Sequence, residues 1–293
     1  MGMAALGIVS DTQMRYYSIL TTTQSCGHCK TCASGYRQYC SKAQGFAFSD
    51  QDQGAFSDYR IIDSSFAYPI PESIKSEHAG PLMCAGASTY EALDAAGAKP
   101  GHRVGVVGVG GLGHMAILFA RAMGCGVTAI TGDVEKASDL FKMGADEVRI
   151  TADLELSYTQ DSTVPGQELL IEATELPKPM SIDVLLITSN AIPDLSAYFG
   201  LLARRATIVL MTIQQDPISI PYMSFVLPGH KLIASTEASH QNHYEMLDFV
   251  ARHKIEPLIE QFPMTLKGAA DAFERLEAGD MRYRGVLVRD DMS

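Results

Sequence analysis

The sequence is short of basic residues and has no long apolar run. Its 293 residues carry 23 Lys+Arg against 34 Asp+Glu, a formal net charge of −11. Such a surface repels phosphate backbones, so a general nucleic-acid partner is excluded. No stretch approaches the ~20 apolar residues needed to cross a bilayer. Residues 1–9 are apolar, but too short for a span and without the basic flank of a secretory leader. Leu6 stands where a myristoylation signal needs Ser or Thr. Internal repeats and low-complexity tracts are also absent. These absences leave a soluble cytoplasmic protein as the expectation. An apolar fraction of 46% beside 19% charged residues suits a packed chain of one large or two ordinary domains.

The distinctive chemistry is concentrated. Four of the six cysteines follow the pattern Cys26-x2-Cys29-x2-Cys32-x7-Cys40. Four thiolates at these spacings can close a tetrahedral site round Zn²⁺ with no open position, which predicts a structural metal. The metal would fix a loop that has little apolar core of its own. Disulfides compete with this reading and are disfavoured in a reducing compartment; an iron–sulfur cluster needs different spacing. Cys125 follows Gly124 at a helix–strand turn and reads as packing. His28 reads as loop surface, and His78, His114, His240 and His243 as exposed or hydrogen-bonded side chains.

From about residue 86 strands and helices alternate. Strands are predicted at 103–107, 127–131, 147–150, 183–188, 207–211, 231–235 and 285–288, with a weaker one near 59–62. Helices are predicted at 91–96, 114–123, 135–143, 245–254 and 269–278; residues 151–180 have no clear pattern. Such alternation implies right-handed βαβ units and a parallel sheet. Between the first strand and its helix lie Gly108, Val109, Gly110, Gly111, Leu112 and Gly113, a G-x-G-x-x-G turn. Gly108 would allow the tight turn, Gly110 the approach of a pyrophosphate, and Gly113 the packing of helix on strand. The phosphates would sit on the amides at the helix start. The alternative is a glycine-rich turn without ligand. At the end of the second strand stand Thr131, Asp133 and Lys136. Thr131 is neutral where NAD binding usually wants an acid, and Lys136 suits a 2′-phosphate. Asp133 suits either a ribose or the exclusion of that phosphate. NADP is expected over NAD.

Four stretches together are similar to the zinc-containing medium-chain alcohol dehydrogenases, and most of all to the cinnamyl-alcohol-dehydrogenase group. They are residues 25–32 (Ser-Cys-Gly-His-Cys-Lys-Thr-Cys), residues 81–86 (Pro-Leu-Met-Cys-Ala-Gly), the glycine turn, and Arg282-Tyr283-Arg284. The resemblance covers residues 25 to about 290. It implies an α/β fold in which a doubly wound Rossmann sheet is inserted into a GroES-like β domain with a four-cysteine zinc lobe. The expected division is 1–85 for the first part of the catalytic domain with its lobe at 26–40. Residues 86–236 form the dinucleotide-binding domain, and 237–293 the return segment. It further implies a homodimer, NADP-dependent hydride transfer, and a primary alcohol or aldehyde as substrate. Cys84 matches a ligand of the catalytic zinc, and Ser88 stands where the family has a Thr near the nicotinamide. Thr188 matches a cofactor-contacting Thr, and Arg284 an Arg that meets the pyrophosphate. Thr212 stands where Gly is common, and Thr236-Glu237-Ala238 replaces a segment that contacts the nicotinamide end.

The main departure is at the start. Only 25 residues precede Cys26, and they contain no Cys and no His. The other ligands of the family's catalytic zinc come from that region, so the resemblance implies a catalytic domain short of its N-terminal portion. Cys84 alone cannot hold a catalytic zinc, which takes three protein ligands and an open position. Two further readings therefore stand beside an active alcohol dehydrogenase. One is a catalytically impaired relative that binds nucleotide and zinc, or an incomplete gene model. The other is a reductase working without catalytic zinc, which the four-cysteine lobe disfavours.

Overall fold

The computed structural model describes residues 9–11, 14–18, 22–45, 63–160, 168–172 and 181–289. The weak strand expected near 59–62 lies outside them. The chain forms two compact units, Met1–Glu91 with Thr236–Ser293, and Ala92–Ser235.

The N-terminal part of unit one contains β1 (Val9–Asp11), β2 (Met14–Ser18), β3 (Thr22–Gln24), α1 (Lys30–Ala33), β4 (Gln44–Gly45) and β5 (Ala67–Pro69). The strands β1, β2 and β5 pair antiparallel, as do β3 and β4. Then α2 (Ser76–Pro81) runs through a π-helical turn, Leu82–Gly86, into α3 (Ala87–Ala95). The helix expected at 91–96 is thus the end of a longer helical run. Gly80, Pro81 and Gly86 read as breakers in the sequence. Burial of Leu82, Met83 and Ala85 outweighs that local preference.

Unit two contains β6 (Arg103–Val107), α4 (Gly113–Ala122), β7 (Gly126–Thr131), α5 (Ala137–Lys142), β8 (Glu147–Ile150), β9 (Asp153–Gln160), β10 (Glu168–Glu172), β11 (Ile182–Ile187), β12 (Leu202–Leu210), α6 (Tyr222–Val226) and β13 (Lys231–Ala234). The sheet order is β10-β9-β8-β7-β6-β11-β12-β13. The six strands from β8 to β13 are parallel, and β9 and β10 add to the β8 edge as an antiparallel hairpin. That hairpin falls in residues 151–180, for which no element is predicted, although Leu154, Leu156 and Tyr158 alternate with polar residues along β9. Strand order reverses between β6 and β11, the switch point at which doubly wound sheets bind ligands. The segments Val104–Val107 of β6 and Val184–Ile187 of β11 are apolar and buried throughout because both faces of the sheet are covered there, whereas β8 buries an ion pair, Arg149 with Glu147 at 2.7 Å. Val107, Ile130, Leu185, Ile187 and Ile208 are buried in one cluster with Leu195 and Tyr198.

The chain returns to unit one through α7 (His240–His253), β14 (Ile259–Pro263), α8 (Leu266–Glu277) and β15 (Arg284–Val288). The helix α7 starts earlier than its apolar face suggests. The Ser239 hydroxyl caps it by accepting the Asn242 amide at 3.0 Å, and Met246, Leu247 and Val250 are buried. The helix α8 is the crossover between the parallel strands β14 and β15. Among the described residues no helix is long and apolar enough to cross a membrane.

Candidate functional site

The four-cysteine lobe is a short loop folded onto one point. Gly27 and Gly35 take φ of 74° and 91°, the left-handed region that lets the loop reverse before and after α1. The Sγ atoms of Cys26 and Cys32 lie 3.9 Å apart, those of Cys29 and Cys40 3.9 Å, and those of Cys40 and Cys26 3.7 Å. All four lie within 4.8 Å of one another. A tetrahedron with metal–sulfur bonds of ~2.3 Å has edges of about 3.8 Å, so the site has the size of one Zn²⁺. A disulfide brings its sulfurs to ~2.05 Å, and none of these cysteines is so paired. A polynuclear iron–sulfur cluster would hold its thiolates farther apart than a single ion does.

Backbone amides support the thiolate charge. The amides of Cys29, Cys32 and Lys42 donate to Cys26, Cys29 and Cys40 Sγ at 3.3, 3.5 and 3.4 Å. The Cys32 amide is the main reason that the Cys29 thiol is drawn down to about 6. The His28 amide chiefly lowers Cys26, whereas burial pushes Cys32 up.

In unit two each glycine of the turn has its own geometry. Gly108 has φ 86°, and a Cβ there would lie 2.6 Å from Ser189 Cα. A Cβ on Gly113 would lie 2.4 Å from the Gly108 carbonyl oxygen, so α4 packs on the turn through bare backbone. A Cβ on Gly110 would meet nothing within 4 Å. The Thr188 hydroxyl lies 2.7 Å from Gly108 O and 3.0 Å from Val107 O, tying β11 to the turn. Thr212 donates to Ser189 O at 2.8 Å. Val109 and Gly113 are buried, while Gly111 and Leu112 are half-buried.

The end of β7 is tied up locally. Thr131 is buried, and its hydroxyl accepts the Asp133 amide at 3.2 Å. Asp133 accepts the Glu135 amide at 2.9 Å, and Lys136 Nζ stands 3.8 Å from the other Asp133 oxygen. Cys84 lies half-buried in the π-helical turn of unit one, four residues before half-buried Ser88. Arg284 is buried on β15, opposite Ile259. Among the described residues, only Cys26, Cys29, Cys32 and Cys40 form a group of three or more potential metal ligands. Cys84 joins no such group.

Comparison with known proteins decides the family. Residues 111–252 match the zinc-binding dehydrogenase family. The chain is 33% identical over 270 residues to NADP-dependent alcohol dehydrogenase C 1 of Mycolicibacterium smegmatis, covering 90% of the chain and 72% of that protein. The chain belongs to the zinc-containing medium-chain alcohol dehydrogenases. Cinnamyl alcohol dehydrogenase 8 of Arabidopsis thaliana is 31% identical over 270 residues, with 90% and 70% covered. The solved cinnamyl alcohol dehydrogenase SbCAD4 of Sorghum bicolor superposes with a TM-score of 0.78 at 26% identity, over 95% of this chain and 75% of that one.

This dehydrogenase also contains a polar cluster that motif reading passes over. The buried Arg37 guanidinium lies 3.7 Å from the Phe66 ring centroid and donates to Ser65 O at 2.7 Å and to the Tyr68 hydroxyl. That hydroxyl meets His240 Nδ1 at 3.1 Å, and the Tyr68 ring stacks on His243 at 4.7 Å. His243 Nδ1–H donates to Ser239 O at 2.8 Å. Burial drives His243 down to about 4 and Tyr68 up to about 12. Glu91, buried in α3, accepts from the Ser239 amide at 2.9 Å and from Asn242 Nδ2 at 2.8 Å. Nothing in the sequence around Glu91 or Tyr68 marks these roles, because every partner is distant in the chain or non-periodic.

Proposed function

We propose that this chain binds one structural Zn²⁺ through Cys26, Cys29, Cys32 and Cys40, and binds NADP(H) at the switch point of its parallel sheet. It then takes part in hydride transfer between that cofactor and a primary alcohol or aldehyde. The turn at residues 108–113 carries the reading. Two of its glycines are required by the chain's own backbone, whereas Gly110 is bare where no protein atom needs it to be. A pyrophosphate over Gly110 and the α4 N-terminus accounts for that. Thr131, Asp133 and Lys136 fall to the adenosine ribose, with Lys136 the partner for a 2′-phosphate. The NADP dependence named for the Mycolicibacterium relative supports that preference over NAD. Thr188, Thr212 and the segment Thr236-Glu237-Ala238 fall to the nicotinamide half. The nicotinamide, when bound, carries the hydride. The family pattern assigns Arg284 to the pyrophosphate and Ser88 to the nicotinamide.

A catalytic zinc does not fit the described residues. Cys84 is its one family ligand here and stands in no group of three, so no chemical step is routed through that metal. This observation favours a second reading, a relative that binds nucleotide and structural zinc but is impaired in catalysis. A homodimer joined through unit two is consistent with β13 as the outer strand of its sheet, and with exposed Tyr222, Met223 and Leu227 nearby in sequence. Free thiols in the lobe accord with the cytoplasm.

Metal analysis and titration calorimetry test the proposal. One zinc per chain is expected, together with tighter binding of NADP than of NAD. Tighter NAD binding overturns the cofactor preference, and no binding of either overturns the dinucleotide reading. NADPH oxidation by an aromatic or aliphatic aldehyde supports the enzyme. A folded, zinc-loaded, NADPH-binding protein without turnover supports the impaired relative. Two zincs per chain would overturn the latter.

A further inference from the structure

Inside unit one the four-cysteine lobe meets the start of α7 at three places. The His240 amide donates to Gly35 O at 3.1 Å. The Tyr39 hydroxyl accepts the Thr236 amide at 3.2 Å. The third link runs through side chains. Arg37, between Cys32 and Cys40, donates to the Tyr68 hydroxyl, and that hydroxyl meets His240 Nδ1 at 3.1 Å. Only this link ends on a side chain of the type that titrates near neutral pH.

The third link allows one arrangement of protons. Arg37 keeps all its protons, so the Tyr68 oxygen accepts from it. The single hydroxyl hydrogen is left for His240 Nδ1, which must therefore carry none. His240 is then neutral, with its proton on Nε2. A second proton would have to sit on Nδ1. Guanidinium and imidazolium would then converge on one hydroxyl oxygen, and the hydroxyl hydrogen would lose its acceptor. Tyr68 has no exposed surface, so water cannot replace that acceptor, and the loss is a full desolvation cost.

The surroundings oppose the second proton as well. Arg37 faces His240 from the lobe, Tyr68 from β5, and Tyr244 from its own helix at 5.2 Å between rings. His243, stacked on Tyr68, is held near 4 and stays neutral until well into acid. The nearby carboxylates are engaged elsewhere, Asp63 with the Ser65 amide and Glu91 with the Ser239 amide. Burial first, and then the Arg37 charge, hold His240 below the ordinary histidine value. A docked His240 is thus harder to protonate than a free one. The link is complete above about pH 6.5 and weakens as pH falls below it.

We infer that His240 is a pH-sensitive latch, which joins the four-cysteine lobe to α7 when neutral and releases it when protonated. The inference rests on the contacts between lobe and helix within unit one, and not on the dinucleotide reading.

Hydrogen exchange on the full, zinc-loaded chain at about pH 7.5 and about pH 5.5, corrected for the intrinsic effect of pH, tests the latch. Protection of the His240 amide should fall about 3- to 10-fold at the lower pH, the worth of one hydrogen bond, while β15 keeps its protection. His240→Gln offers a carbonyl oxygen to the Tyr68 hydroxyl but does not titrate, so the amide of residue 240 should show no such fall. No fall in the wild type, or an equal fall in both proteins, overturns the latch. Zinc is counted at both pH values, and its equal loss from both proteins with an equal fall assigns the change to the thiolates, again against the latch. Nitrogen NMR of the wild-type imidazole needs no variant. A proton on Nε2 alone at about pH 7.5 is expected, and a proton on Nδ1 there overturns the inference.

Discussion

Replacing Gly110 by Ala adds a single methyl group where the protein itself offers no obstacle. The new Cβ meets no atom within 4 Å, and Gly110 does not occupy the left-handed region. Such a substitution normally stabilises a protein by ~0.4–1 kcal/mol, because it narrows the unfolded ensemble. The neighbouring glycines behave oppositely. Gly108→Ala forces a side chain onto φ 86° at ~1–2 kcal/mol and drives its Cβ to 2.6 Å from Ser189 Cα, an overpacking of ~1–3 kcal/mol more. Gly113→Ala meets the Gly108 carbonyl oxygen at 2.4 Å, where backbone must shift. At roughly 2–4 °C per kcal/mol, Gly108→Ala should lower the melting temperature by several degrees while Gly110→Ala leaves it level or slightly raised. Nucleotide binding should invert that order of harm. A methyl group between Gly110 and a pyrophosphate lengthens charge-assisted hydrogen bonds worth ~1.5–3 kcal/mol, so Gly110→Ala should weaken NADPH about 10- to 150-fold. Thermal melting and calorimetry on the same two preparations make the comparison. Wild-type NADPH affinity in Gly110→Ala would refute the placement of phosphate at this turn, whatever Gly108→Ala does.

Two predictions concern unit one. The folded-state pKa of His243 lies near 4, mainly through burial and against the opposing pull of the Ser239 carbonyl, with Arg37 and His240 nearby also disfavouring its charge. The unfolded chain therefore takes up that proton first. Stability is complete above the ordinary histidine value of about 6.5 and is lost as pH falls from there to about 4, by about 3 kcal/mol in all. Urea midpoints at successive pH values measure this, and His243→Asn should flatten the slope in that window; an unaltered slope would contradict it. Lys254 ends α7 in the left-handed region at φ 53°. Lys254→Gly should gain up to about 1 kcal/mol by removing that strain, seen as a higher denaturant midpoint, and a lower midpoint would count against it.

What is readable in the sequence divides by chain distance. The central parallel strands announce themselves because a strand covered on both faces is mostly apolar, as Val104, Val106 and Val107 are. The cysteine lobe is equally plain, since fifteen residues contain all four thiolates and both glycines that let the loop close. The hairpin β9–β10 is missed although Leu154, Leu156 and Tyr158 do alternate with polar residues along β9; it is the short β10, with its apolar run Leu169-Leu170-Ile171, that lacks the period. The early start of the α2–α3 helical run is hidden by Gly80, Pro81 and Gly86, whose local preferences are overruled by burial around them.

Asp133 shows where the reading of residue type alone stops. An acid just past the second strand suggests a ribose ligand, yet this carboxylate already accepts the Glu135 amide and faces Lys136. The pair is exposed enough that its attraction is worth at most ~1 kcal/mol, so a 2′-phosphate can draw Lys136 away at little cost. The proposed preference for NADP thus turns on which group Lys136 faces, not on the presence of an acid. The contacts that hold the 236–239 turn lie further still beyond any local pattern. Tyr39 and Thr236 are 197 positions apart, and Glu91 and Ser239 148. A single hydrogen bond at that separation has no period and no motif. It becomes visible only when the fold has brought its two ends together.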